Sequence, residues 1–257
     1  MKPNVLVLRP EPQNKQCRKV LLEAGYQPIG QPLISFEAGH ELKLLPTLLP
    51  SYQNINQAII ALSPRAVEYA NTHLELNHKS WPLAANYFAV GRATHEAFRR
   101  CGIESDIAPT QDSEGLFALL EDTGVDLESV LILRAQDGRE NLGEWLRARH
   151  TAVRYLCCYL RVSCEIEPQT IEIWPRQINA VLATSGQITK QLCQLSSNVS
   201  YQNWRQHCPI VVPSLRVAEL AQTLGYYRVV VSDGASDEAM LQALQSLPLL
   251  SRKQDER

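Results

Sequence analysis

The apolar and polar positions of this chain follow a pattern that is used twice. Residues 5–36, VLVLRPEPQNKQCRKVLLEAGYQPIGQPLISF, open with four apolar residues, then an arginine, a polar turn, a stretch of helical period and a second apolar run that reads as a strand. Residues 130–162, VLILRAQDGRENLGEWLRARHTAVRYLCCYLRV, restart that order. Val5 and Val130 stand 125 residues apart, and at the same offset Cys17, Val20 and Leu21 meet Leu142, Trp145 and Leu146. One offset shared by a strand and a helix points to duplication.

Residues 5–8 predict a buried parallel strand broken by Pro10 and Pro12, and residues 13–24 an amphipathic helix closed by Gly25. The next strand spans 33–37, kept extended by Pro32, and Gly39 marks a first linker. Residues 57–62 run into Ser63-Pro64, a serine cap followed by proline at the first helical position, which starts a helix over 65–73. Residues 87–90 lead through Gly91 into a helix from about Ala93 to Cys101 that Gly102 ends, and Ser113 caps a short helix with Glu114 in its first turn. From Ala180 the order returns, with strands running into Ser185, Ser214 and Ser236 and a helix ending at Gly225. Ser63 and Ser185 are 122 residues apart, while Gly102 and Gly225, like Ser113 and Ser236, are 123 apart.

Alternating strands and helices call for parallel sheets with helices on both faces. A chain of 257 residues suits two such domains. Each repeat makes one domain, or residues 1–34 join 163–257 while 37–160 form the other, with two extended linkers paired between them; the pattern leaves both open.

Composition narrows the function by exclusion. A net charge of −2 leaves no basic footprint for nucleic acid. The apolar run 5–8 is too short for a signal peptide or a membrane span, so a cytoplasmic protein is expected. Seven cysteines without CxxC spacing predict reduced thiols, and six histidines without HExxH or a similar pair predict no metal site. GxGxxG, GxxxxGK[ST] and GxSxG are all absent, so an enzyme here works without a bound cofactor.

The candidate chemistry lies where strands end and helices begin: Arg9, Ser63, Gly91, Arg92, Thr94, Ser113, Arg134, Ser185, Gly186, Ser214 and Ser236. Ligands of open parallel sheets bind at the carboxyl ends of the strands, and free N–H groups at helix starts attract anions. A serine there is also simply a good cap; the repeated placement is what suits a ligand with many carboxylates or phosphates. Arg9 and Arg134, each closing the first strand of a repeat, suit bidentate carboxylate clamps, and Arg92 and Arg139 are further anion contacts.

Seven segments in order resemble the uroporphyrinogen-III synthase family: AIIALSPRAVEYA at 58–70, AVGRATHEAFRRCG at 89–102, the serine of DSEGL at 112–116, VLILRAQDGRENLGEWL at 130–146, YLCCYLR at 155–161, and ATSGQIT with VVPSLRVAELAQTLGY beyond it. The resemblance implies two flavodoxin-like doubly wound parallel-sheet domains, the first discontinuous, joined by a two-stranded ladder, with the active site in the cleft between them. It implies a monomeric, cofactor-free enzyme that closes hydroxymethylbilane, which carries eight carboxylates, to uroporphyrinogen III with loss of water and inversion of the last ring. Tyr159 then matches the tyrosine thought to act near the leaving hydroxyl, Thr94 the threonine after the Val-Gly pair, and Ser63 and Ser185 the helix-start serines, all three expected to bind substrate. Pro213 to Val217 depart from the family's glycine- and threonine-containing version, leaving Ser214 and Arg216 as donors there. Two other readings keep the same fold: a non-catalytic two-domain binder of a small polyanion, and a flavin-binding flavodoxin relative.

Overall fold

The computed structural model describes residues 2–110, 112–138 and 140–248. The chain opens with β1 (Asn4–Val7), α1 (Gln13–Glu23), β2 (Gln27–Gly30), β3 (Ile34–Ala38) and the short α2 (Leu45–Leu48). Then follow β4 (Gln57–Ala61), α3 (Pro64–Leu76), β5 (Asn86–Ala89), α4 (Arg92–Arg100), β6 (Asp106–Ile107), α5 (Ser113–Asp122), β7 (Ser129–Ala135), α6 (Asn141–Arg147) and β8 (Ala152–Ser163). The last part holds α7 (Pro168–Glu172), α8 (Trp174–Gln177), β9 (Ala180–Leu182), α9 (Gly186–Leu195), α10 (Gln202–His207), β10 (Ile210–Val212), α11 (Leu215–Thr223), β11 (Val229–Val231) and α12 (Asp237–Gln245).

Two compact units result, Met1–Ser35 with Val162–Arg257 as unit 1 and Phe36–Arg161 as unit 2. The chain passes from one to the other inside β3 and inside β8, which are neighbours at one end of the six-stranded sheet. Unit 1 holds a five-stranded sheet in the order β11-β10-β9-β1-β2, all of it parallel. Unit 2 holds β3-β8-β7-β4-β5-β6, parallel from β8 to β6. Numbered within its own unit, the first sheet reads 2-1-3-4-5, the doubly wound order with a switch point beside its first strand.

The duplication survives in this topology. β1 lies between β2 and β9, and its repeat β7 lies between β8 and β4. Each sheet therefore combines the opening strands of one repeat with the later strands of the other. Burial repeats as well: Cys17 and Leu21 are buried with Val20 half-buried, and Leu142 and Leu146 are buried with Trp145 half-buried. Both faces of each sheet are covered, as parallel sheets require. Leu6 and Leu8 face one core of unit 1 and Val5 and Val7 the other, while in unit 2 Leu131 and Leu133 face one core and Val130 and Ile132 the other. Gly102 and Gly225, paired by the repeat, both end their helices in the left-handed region, with φ of 76° and 90°.

Two local expectations need correction. The strand after α1 is Gln27–Gly30, and the one expected over 33–37 is a separate strand at Ile34–Ala38. Gln-Pro-Ile-Gly hides the first because it is an edge strand, partly exposed and tolerant of proline. The cap of α5 is Asp112, whose carboxylate accepts from the Gly115 N–H at 2.9 Å; Ser113 is the first helical residue. Asp and Ser are both good caps, so one-residue ambiguity is built into an Asp-Ser pair. Arg139, the remaining candidate of that region, lies outside the described residues.

Candidate active site

A polar cluster of unit 2 forms where β4 hands over to α3. Ser63 is extended, with φ −165° and ψ 153°, and its Oγ accepts from the Ala66 N–H at 3.2 Å, satisfying one of the helix's open donors. The same hydroxyl donates to the Tyr159 phenol oxygen at 3.2 Å.

A bulge brings Tyr159 there. Arg134 of β7 pairs with Cys157 of β8, but the next residue, Ala135, pairs with Tyr159, which leaves Cys158 as an extra residue. In a regular strand Cys158 and Tyr159 would face opposite sides of the sheet. Both instead join the core that holds Ala66, Val67 and Ala70 of α3. The bulge thus turns the tyrosine toward the α3 face, and with it Arg161, two residues further on. Gly39 packs against the same place: its N–H donates to the Cys158 carbonyl at 2.9 Å, and a side chain on it would run into the Cys157 carbonyl.

The Tyr159 ring is fixed on two sides, edge-on to Phe36 at 5.6 Å and stacked on Tyr69 at 6.0 Å, and Tyr69 donates to the Phe36 carbonyl at 2.9 Å. Only 3% of the residue is exposed. Its oxygen nevertheless lies at the rim of the core, because both groups that bond it, Ser63 and Arg161, reach solvent. Arg161 Nη2 approaches the phenol at 3.5 Å while Nη1 holds Asp137 at 2.5 Å.

The helix starts divide into two kinds. Among the described residues, α3, α4, α9 and α11 have no acidic residue in the first turn. Ser185 caps α9 by accepting from Ile188 at 3.3 Å, and Ser214 caps α11 by accepting from Val217 at 3.4 Å. Gly91, buried and extended, precedes α4, and Gly186 opens α9. Arg65, Arg92 and Arg216 stand in the first turns of α3, α4 and α11, the last two exposed. A cation at that end opposes the helix dipole and is favourable only when an anion joins it. Helices α5 and α12 differ: Asp112 with Glu114, and Asp237 with Glu238, already answer their dipoles. Ser236 caps α12 by accepting from Ala239 at 3.2 Å. Thr94, only 2% exposed, is held inside unit 2.

The two repeat-related arginines have partners of their own. Arg9 is ion-paired through Nη1 with Asp237, and the two side chains are 15% and 7% exposed. Arg134, 12% exposed, donates to the Gly138 carbonyl at 2.7 Å, meets Glu140 at 3.1 Å and lies over the Tyr155 ring. These contacts tie it to the loop from β7 to α6.

Among the described residues no pair of cysteines forms a disulfide, and no group of three or more His, Cys, Asp or Glu could hold a metal ion. Burial, with the Asp237 charge beside it, pushes the Cys17 thiol up to about 12, and burial raises Cys101, Cys157 and Cys158 as well, so none of these is a ready thiolate. No helix among the described residues is long and apolar enough to cross a membrane. Depressions of about 380 Å³ beside Trp81 and about 240 Å³ beside Leu76 are each lined by at most one Lys or Arg, a poor match to a polycarboxylate.

Of the sequence candidates, Ser63 and Tyr159 come together; Arg92, Thr94, Arg134 and the unit 1 residues lie at other helix starts and loops. Phe36, Tyr69, Asp137 and Arg161 were not candidates. Arg161 alone carried a signal, as it shares a strand face with Tyr159 two residues away.

A family model described as uroporphyrinogen-III synthase HemD matches residues 15–242. The uroporphyrinogen-III synthase of Salmonella typhimurium is 34% identical over 247 residues, 94% of this chain and all of that protein. That of Escherichia coli K12 is 33% identical over the same extent. Among solved structures, a mutant uroporphyrinogen III synthase of Thermus thermophilus matches with a TM-score of 0.64 at 15% identity, covering 95% of this chain and 100% of that one. The Helicobacter pylori uroporphyrinogen-III synthetase matches at 0.59 and 17%, covering 96% and 99%.

Proposed function

The chain belongs to the uroporphyrinogen-III synthase family, and from that premise we propose that the Tyr159 cluster is where hydroxymethylbilane loses its hydroxyl on the way to uroporphyrinogen III. The activity is uroporphyrinogen-III synthase, a lyase reaction of tetrapyrrole synthesis. The observation that carries the site is a phenol oxygen bonded by both Ser63 and Arg161 at the start of α3. Those two groups donate to it, so the phenol's own O–H is the one left to give.

The closure releases water and changes no oxidation state. The bond from carbon to the hydroxyl oxygen breaks with its electron pair on oxygen, and the Tyr159 proton makes that leaving group water. The pyrrole cation left behind is reactive enough that no protein nucleophile is needed. The substituted carbon of the terminal ring attacks it to give a spiro intermediate; that carbon's original bond to its bridge carbon then breaks, leaving a cation on the bridge. The ring's unsubstituted carbon bonds to the bridge to close the macrocycle with the ring inverted, and the proton this carbon sheds returns to the phenolate. What the protein adds beyond the proton is placement: it holds the flexible chain so that this attack outruns the simpler closure without inversion.

Holding an octacarboxylate calls for many modest cationic contacts. In unit 2 the acid-free starts of α3 and α4 offer them through Ser63 and Gly91, with Arg92 adding charge, and unit 1 repeats the pattern at α9 and α11 with Ser185, Gly186, Ser214 and Arg216. The starts of α5 and α12, occupied by their own acids, are left out of that set. The enzyme acts as a monomer in the cytoplasm.

Freshly generated hydroxymethylbilane given to the purified protein is expected to yield mainly the III isomer. A product no richer in that isomer than the enzyme-free control would overturn the proposal, and saturable binding without turnover would replace it with a binding role.

A further inference from the structure

Arg161 divides its guanidinium between two neighbours, and both are tied to the same short piece of backbone. Nη1 holds Asp137 at 2.5 Å and Nη2 approaches the Tyr159 oxygen at 3.5 Å. Asp137 belongs to the loop after β7, and that loop is bonded to the tyrosine's own strand, since the Gln136 N–H donates to the Tyr159 carbonyl at 3.1 Å. Arg134 keeps the loop in shape through the Gly138 carbonyl and Glu140. A planar fork serves two partners at fixed separation, which the point charge of a lysine cannot do.

Stability does not explain the arrangement. The side chains of Arg161 and Asp137 are 32% and 57% exposed, and exposed pairs of this kind add little to folding. Chemistry does explain it. When the phenol gives its proton to the departing hydroxyl, negative charge appears on the tyrosine oxygen, and a cation fixed beside that oxygen is worth most at that moment.

We infer that Arg161, held in place by Asp137, is a positioning residue that stabilises the Tyr159 oxygen as it gives up its proton; this rests on the role assigned to Tyr159 above. Arg161 acts through the phenol and needs no contact with the substrate. Replacing it therefore lowers kcat and spares KM, and the loss depends on the phenol being present.

The test is a double-variant cycle on the full chain with hydroxymethylbilane as substrate, using Arg161→Gln, Arg161→Lys, Asp137→Asn and Tyr159→Phe. Arg161→Gln is expected to lower kcat on the order of tenfold with KM unchanged, the size expected for a charged hydrogen bond. Arg161→Lys retains more activity than Arg161→Gln because it keeps the charge, and Asp137→Asn falls between wild type and Arg161→Gln. In the Tyr159→Phe background, Arg161→Gln should cost nothing further. If Tyr159→Phe lowers kcat but Arg161→Gln costs its full factor in both backgrounds, or acts on KM alone, the inference fails and the role of Tyr159 stands. If Tyr159→Phe leaves kcat unchanged, the role of Tyr159 fails and the inference fails with it.

Discussion

Unit 1 and unit 2 share the order of their parallel strands, a burial pattern and a serine cap on one matched helix, Ser185 and Ser63, yet among the described residues only Ser63 of that pair is bonded to a phenol. At the offset of 125 that joins the repeats, Tyr159 corresponds to Ile34, an apolar core residue that is 4% exposed. Ser63 gives its hydroxyl to Tyr159, whereas the hydrogen bonds of Ser185 are those of its own helix. Helix starts free of acidic residues occur in both units, and under the role proposed for Tyr159 one added tyrosine would separate a unit that does chemistry from a unit that binds. The repeat-related arginines diverge in the other direction: Arg9 is locked to Asp237, far away in sequence, and Arg134 to its own loop.

That last contrast predicts the largest effect. Asp237→Ala leaves the half-buried Arg9 charged without its carboxylate, so unfolding in urea should show a loss of about 3 kcal/mol, the lower end for a buried pair. Glu140→Ala removes the exposed partner of Arg134 and should cost about 0–1 kcal/mol. Equal losses from the two variants would mean that the pairs are equivalent after all.

Next comes the tyrosine itself. Tyr159→Phe keeps the ring contacts with Phe36 and Tyr69 and removes only the oxygen, and it should lower kcat about 100-fold, the lower end of what proton transfer contributes. Ile34→Val in unit 1 should leave kcat alone and cost about 1 kcal/mol of stability. A comparable drop in kcat from both would break the division of labour.

Much of this contrast was legible in the residues and some was not, for physical reasons. Ser63-Pro64 and the glycines at 102 and 225 act through bonds within one turn, so their neighbours reveal them. The meeting of Ser63 with Tyr159 spans 96 residues and depends on a bulge at Cys158, which no periodicity of YLCCYLR discloses. Simple alternation would have sent Tyr159 to the opposite face. The edge strand Gln27–Gly30 and the two-residue β6 escaped because short, exposed strands carry almost no apolar signal.

The serines sharpen the comparison at a smaller scale. Ser63→Ala and Ser185→Ala each remove an N-cap and should each cost about 1 kcal/mol in thermal or urea unfolding. Only Ser63→Ala also removes one of the two hydrogen bonds to the Tyr159 oxygen, so only that variant should lower kcat. A fall in kcat for Ser185→Ala as large as for Ser63→Ala would assign the effect to helix capping alone.

The smallest effect has an unusual sign. Arg92 and Arg216 are exposed cations in the first turns of α4 and α11, one in each unit, where each opposes its helix dipole. If they are there for folding, replacing them by alanine should cost stability or do nothing. If they are there for a polycarboxylate, Arg92→Ala and Arg216→Ala should each stabilise the ligand-free protein by about 0.3–1 kcal/mol and at the same time raise KM for hydroxymethylbilane, with kcat little changed because neither touches the phenol. Urea midpoints and steady-state kinetics on the same preparations read both quantities. Opposite signs in both units would identify unit 1 as a binding surface equal to unit 2, whereas a raised KM for Arg92→Ala alone would confine substrate recognition to the unit that carries Tyr159.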